Sequence, residues 1–183
     1  MKKKKVIFLK NKKGQIWIET IIYTLIAFAL IGLVLAFVKP EIEEIQDKGF
    51  IERSIDALKE IDFIINTIGE PGNQRVIGLG INKGSFNIDG ENNTLFFEIE
   101  SRHEYSEPGE DIIDGNVIIT TEEVSGISMV TLKINYTERY NITFDGKETS
   151  KRISQSPTPY SILIANNGKD DQNKTIINLN VVD

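Results

Sequence analysis

One stretch constrains this chain more than any other. Thr20 to Val38 reads TIIYTLIAFALIGLVLAFV, and only Thr20, Thr24 and Gly32 of it fall outside the apolar set. A helix needs about 20 such residues to cross the hydrocarbon core of a bilayer. Thr20 and Thr24 can return their hydroxyls to helix carbonyls, so they do not spoil the run. Lysines precede it, while Lys39 and then the acidic stretch EIEE follow it. By the positive-inside rule the N-terminus is cytoplasmic and the bulk of the chain lies outside. Trp17 falls at the cytoplasmic interface, where amphipathic rings settle.

Two plainer readings compete. A secretory signal peptide has an apolar core of roughly 7–15 residues and a small-residue cleavage site after it. Here Ala27-Phe28-Ala29 has the right form but lies inside the run, which is also too long. An uncleaved signal anchor fits the length. Neither reading accounts for Glu19, a carboxylate at the mouth of the apolar run. A charge at mid-bilayer costs at least about 2.5–3.5 kcal/mol, and less near the edge. Glu19 is therefore either a tolerated interfacial residue or one with a partner.

The residues ahead of the run, Lys12-Lys13-Gly14-Gln15, with Glu19 four positions on and then the long apolar segment, resemble the class III signal of archaeal type IV pilins and archaellins. The resemblance covers about 30 residues. It implies that a prepilin peptidase cuts on the cytoplasmic side between Gly14 and Gln15, which makes Glu19 the fifth residue of the mature chain. Cleavage would remove seven lysines and leave an α-amino group at Gln15, cationic at neutral pH with a reference pKa of about 7.7–8.0. Gln15 and Glu19 share a helix face. In the family the glutamate meets the N-terminal amine as subunits enter a filament, relieving the cost of a lone carboxylate among apolar helices. The implied partners are the prepilin peptidase, the membrane, and further copies of this or related pilin subunits. The implied course runs from a single-pass membrane precursor to a surface filament. A membrane-anchored extracellular binding or adhesion domain that never polymerises is the alternative.

Beyond the run, EIEEIQDKGFIERSIDALKEIDFIINTIG carries apolar residues at Ile51, Ile55, Leu58, Ile61, Ile65 and Ile68. Steps of three and four mark one face of an amphipathic helix. That face is expected to pack on the globular domain. Pro40 is expected to kink or break the helix, and Gly69, ahead of Pro71-Gly72, to end it. From Gln74 the pattern changes to period two. RVIGLGI reads as a first strand, and SFNIDGENNTLFFEIES as a hairpin turning at Asp89-Gly90 and Asn92-Asn93. NVIITTEEVSGISMVTLKINY turns near Ser125-Gly126, YNITFDGKETSKRI at Asp145-Gly146, and YSILIANNGKDDQNKTIINLNVV closes the chain as a hairpin. The total is about eight short strands, enough for a small antiparallel β-sandwich. The expected class is α+β: residues 1–14 a cleaved signal, 15–39 a transmembrane or filament-core helix, 40–70 an amphipathic stem and 71–183 an extracellular head. The resemblance implies an immunoglobulin-like head.

Composition narrows the function. Without the seven N-terminal lysines, 14 basic residues face 27 acidic ones, a net of −13. Such a surface argues against nucleic-acid binding, which needs a basic face. There is no cysteine, hence no disulfide, thiolate metal site or cysteine nucleophile. Four Asn-x-Thr sequons lie in the head, at Asn92, Asn135, Asn141 and Asn173; each is a candidate glycan acceptor. His103 sits among Glu104, Glu107, Glu110, Asp111 and Asp114. Calcium would suit such oxygen ligands, but the spacing fits no EF-hand, and a solvated acidic loop is the expectation. No nucleophile elbow, phosphate loop or zinc signature is present, so neither enzyme activity nor a cofactor is expected.

Overall fold

A computed structural model describes residues 12–124 and 126–182, with side chains from Trp17 onward. Ser125 of the expected turn and the lysines up to Lys10 lie outside the described residues. The chain divides into two compact units, one ending at Ile42 and one beginning at Glu43. A single helix, α1, runs Lys12–Thr67 and carries Pro40 inside it. Of the kink or break expected at Pro40, the break does not occur. Proline removes one hydrogen bond from the ladder at a cost of ~3 kcal/mol. A helix this long, once nucleated, propagates across one missing bond when good helix formers flank it on both sides.

In the second unit the strands follow α1: β1 (Gln74–Leu79), β2 (Ser85–Asp89), β3 (Thr94–Ser101), β4 (Asp111–Asp114), β5 (Val117–Val124), β6 (Ile127–Asn135), β7 (Tyr140–Phe144), β8 (Ser150–Ser154), β9 (Tyr160–Lys169) and β10 (Thr175–Val182). They form a four-stranded sheet in the order β1-β9-β10-β7 and a six-stranded sheet in the order β4-β5-β6-β3-β2-β8. The fold is α+β, a long helix followed by a sheet head, as expected. All strand pairs are antiparallel except β7 with β10. The partition into four and six strands differs from the seven-stranded immunoglobulin constant pattern.

The turns explain the pairing. Asp89 pairs with Thr94 across the β2–β3 turn, where Asn93 is left-handed at φ 51°. The Asp89 carboxylate accepts the backbone N–H groups of Glu91 and Asn92 at 3.1 and 3.2 Å, closing the loop. Val124 pairs with Ile127, so β5 and β6 are joined by a two-residue turn whose Gly126 has φ 80°. Asp145-Gly146 also turns, with φ 53° and 73°, but the strands on either side part company. β7 joins β10 in one sheet and β8 joins β2 in the other.

One contiguous core collects residues from α1 and both sheets. The stripe Ile51, Ile55, Leu58, Ile61, Ile65 and Ile68 is buried throughout, at no more than 4% exposure. Strand alternation supplies the opposite wall: Val117 and Ile119 of β5, Val130, Leu132 and Ile134 of β6, Phe97 and Ile99 of β3. Burying each of these side chains is worth about 1.5–3 kcal/mol. The helix ends at Thr67, and Gly69 follows in the left-handed region at φ 78°. Just past that end, side chains satisfy two carbonyls of the turn: Asn73 Nδ2 donates to Ile68 O at 2.9 Å and Asn166 Nδ2 to Gly69 O at 2.6 Å.

Candidate functional site

The first unit contains the residues that most demand a function. Trp17 to Val38 is helical, and every large apolar side chain in it is exposed, from Ile21 and Val38 at 44% and 42% to Trp17 and Phe37 at 74% and 71%. The best 18-residue window has a mean hydropathy of 2.8 and none of it is buried. Thr24 Oγ1 donates to Thr20 O at 2.7 Å, hiding one hydroxyl within the helix as its sequence position suggests. The fifteen large apolar side chains between Trp17 and Val38 would together forfeit on the order of 20 kcal/mol or more if left in water. A whole domain is stable by only about 5–15 kcal/mol. Leaving this segment in water is therefore costly, and its length and composition suffice to cross a membrane.

Gly14 and Gln15 fall on helical backbone within α1, and the side chain of Gln15 lies outside the described residues. Glu19 is exposed and forms no hydrogen bond or ion pair with another described residue. Between Glu19 and Lys39 the helix carries no other ionisable group except the phenol of Tyr23.

The second unit fastens the lower turns of its helix with a set of charges that the apolar pattern alone did not reveal. Asp47 is only 4% exposed. Its carboxylate pairs with Lys83 Nζ and accepts the backbone N–H of Arg102 at 2.8 Å. Arg102 Nε also reaches Glu43 at 3.0 Å, and His103 Nδ1 lies 3.2 Å from Glu44. The one signal in sequence was position: Asp47 precedes Ile51 by four residues and so continues the buried stripe with an acid. Further along, Lys59 Nζ meets Asp114 at 2.7 Å, and Asp62 accepts Tyr136 OH at 3.0 Å and Asn116 Nδ2 at 2.8 Å. Burial, and then the Asp62 carboxylate, push the Tyr136 phenol far above its ordinary pKa, so it remains a neutral donor.

The acidic loop around His103 is reorganised rather than simply solvated. Asp111–Asp114 is a strand, β4, paired with β5, and His103 turns to the helix. Ser106 and Gly109 are tied to Thr121 by hydrogen bonds of 2.8 and 2.9 Å. Among the described residues no group of three or more His, Asp or Glu is arranged to hold a metal. Of the sequons, Asn92, Asn135 and Asn173 are exposed and Asn141 is half-buried. Comparison with family models, with curated proteins and with solved structures yields no match, so the residues themselves carry the functional reading.

Proposed function

We propose that this chain is a structural, pilin-like subunit of an archaeal type IV pilus-like surface filament. The observation that carries the reading is the ordered set Lys12-Lys13-Gly14-Gln15 with Glu19, leading directly into an apolar helix that finds no cover within its own chain. The precursor inserts with its lysines in the cytoplasm and its head outside. A prepilin peptidase cuts after Gly14. The trimmed helices, apolar all round, then bundle with one another as the filament core, and the acidic heads face water. Glu19 pairs with the new α-amine at Gln15 of a neighbouring subunit and sets the axial register, because an unpaired carboxylate inside the bundle is costly.

The test is Glu19→Ala in the native cell. The variant should insert in the membrane at the wild-type level and be strongly depleted from the sheared surface fraction. Normal incorporation would remove Glu19 from the mechanism. Wild-type protein confined to the membrane fraction would point instead to the anchored, non-polymerising ectodomain.

A further inference from the structure

The fold gathers the four sequons at one end of the head. Thr137 Oγ1 donates to Asn92 O at 2.9 Å, and Ile142 N to Asn93 Oδ1 at 2.6 Å. Asn141 Nδ2 reaches Asp170 Oδ2 at 3.3 Å, and Lys174 Nζ donates to Thr137 O at 2.8 Å. The β2–β3, β6–β7 and β9–β10 turns therefore touch one another. From this cluster β3 runs eight residues to Ser101, beside which Arg102 bonds Asp47. A strand of that length spans roughly 25 Å. The sequons thus lie at the end of the head opposite the helical turn at which this unit begins.

The four asparagines differ in chemistry. Attachment of a glycan consumes the amide nitrogen Nδ2, which must be exposed and uncommitted, and the hydroxyl two residues on must be reachable. Asn141 fails both conditions. Its Nδ2 donates to Glu148 at 2.8 Å and to Asp170, and its Thr143 is 5% exposed and donates to Asn178. Asn92 is exposed, but its Nδ2 donates to Asp89 at 2.7 Å and its Thr94 is buried. Asn135 uses its Oδ1 to accept Thr137 N at 2.8 Å, and Thr137 is exposed. Asn173 stands in the β9–β10 turn with φ 63°, its Oδ1 accepting Lys169 Nζ at 2.9 Å, and its Thr175, the first residue of β10, is half-buried. Among the described residues neither Asn135 nor Asn173 commits its Nδ2 to a partner.

We infer that Asn135 and Asn173 are the acceptors of N-linked oligosaccharide and that Asn92 and Asn141 are not. This rests on the proposed extracellular placement of the head. The donor is an oligosaccharide linked through phosphate to a membrane lipid. Nδ2 forms a bond to the anomeric carbon, the bond from that carbon to the phosphate oxygen breaks with its electron pair leaving on the lipid phosphate, and Nδ2 gives up one proton to a base of the transferase. No oxidation or reduction is involved. The two glycans would stand side by side, since Thr137 and Lys174, which bond each other, neighbour the two acceptors.

The test is mass spectrometry of peptides covering all four sequons, from protein of the membrane and sheared fractions of native cells. Peptides with Asn135 and Asn173 should carry a glycan mass, and those with Asn92 and Asn141 should be bare. Asn135→Gln with Asn173→Gln should remove all glycan mass while the head still folds, because both side chains are exposed. Occupancy of Asn141 or Asn92, or four bare sequons, overturns the inference. Protease applied to intact cells separates the causes. A head that is trimmed but bare overturns only the glycan assignment, and a head that is protected and bare overturns the surface placement as well.

Discussion

Replacing the buried Asp47 by alanine should loosen the attachment of helix to head more than removing any of the exposed charges around it. Asp47 is buried, while Lys83, its ion-pair partner, keeps 32% of its side chain exposed. Breaking a fully buried pair costs about 3–5 kcal/mol, because the surviving charge is left without a partner. Lys83 can reach water, which lowers that figure. The backbone N–H of Arg102 loses its acceptor in the same step, at about 1 kcal/mol or more. The sum is ~2–3 kcal/mol, which for a domain of this size lowers Tm by roughly 6–10 °C. Asp47→Asn keeps an acceptor for Arg102 and should lose about half as much. The assay is thermal and urea unfolding of the full chain in detergent, followed by far-UV circular dichroism of the β signal. The sole tryptophan, Trp17, sits in the apolar segment and would not report on the head. A double-mutant cycle with Lys83→Met isolates the pair. A loss below about 0.5 kcal/mol for Asp47→Ala, or no coupling in the cycle, would refute the reasoning.

Four further substitutions probe other parts of the account by the same unfolding assay. Leu58→Ala removes a side chain with 0% exposure from the helix stripe and should cost ~2–5 kcal/mol, whereas Phe63→Ala on the exposed face should cost under about 0.5 kcal/mol. Gly84→Ala places a methyl 2.0 Å from Glu98 O at a residue with φ 77°, so a loss of ~3 kcal/mol or more is expected, and a variant that melts like wild type would contradict the packing of β2 against β3. The Asp89 carboxyl is held below its ordinary pKa of 3.8, chiefly by the Asn92 side chain. A lowered folded pKa stabilises above the unfolded value and is lost as pH falls through the folded one. The stability gap between wild type and Asp89→Ala should therefore shrink as pH drops below about 4, and a gap that widens in acid would reverse the assignment.

The helix stripe and most strands were legible because each depends on local periodicity. Apolar steps of three and four place Ile51 to Ile68 on one face in any helix, and alternation in β5 and β6 places Val117, Ile119, Val130 and Leu132 on one face in any strand. Turn chemistry was legible for the same reason at Asp89-Gly90 and Gly126. Three features were not. β4 was hidden because its two isoleucines are flanked by acids and remain exposed, Ile113 at 72%, so burial never marked it as a strand. The separation of β7 from β8 into different sheets is decided by long-range partners, β10 and β2, which no local pattern names. The Asp47 cluster unites residues up to 59 positions apart, and only the folded chain brings Lys83 and Arg102 to the helix. Glu19 and the residues around Gly14 were read from an ordered motif rather than from periodicity, and Glu19 has no described partner within its own chain.

The central claim is that the chain is trimmed after Gly14 and assembled through its apolar helix. Mass spectrometry of the N-terminal peptide, on protein from membrane and sheared-surface fractions of native cells, tests it most directly. The method also reads a mature N-terminus whose glutamine has cyclised. The account predicts a chain beginning at Gln15, present in the sheared fraction. A chain retaining Met1-Lys2-Lys3 and found only in the membrane would contradict it, and would leave Glu19 as an interfacial carboxylate of an anchored ectodomain.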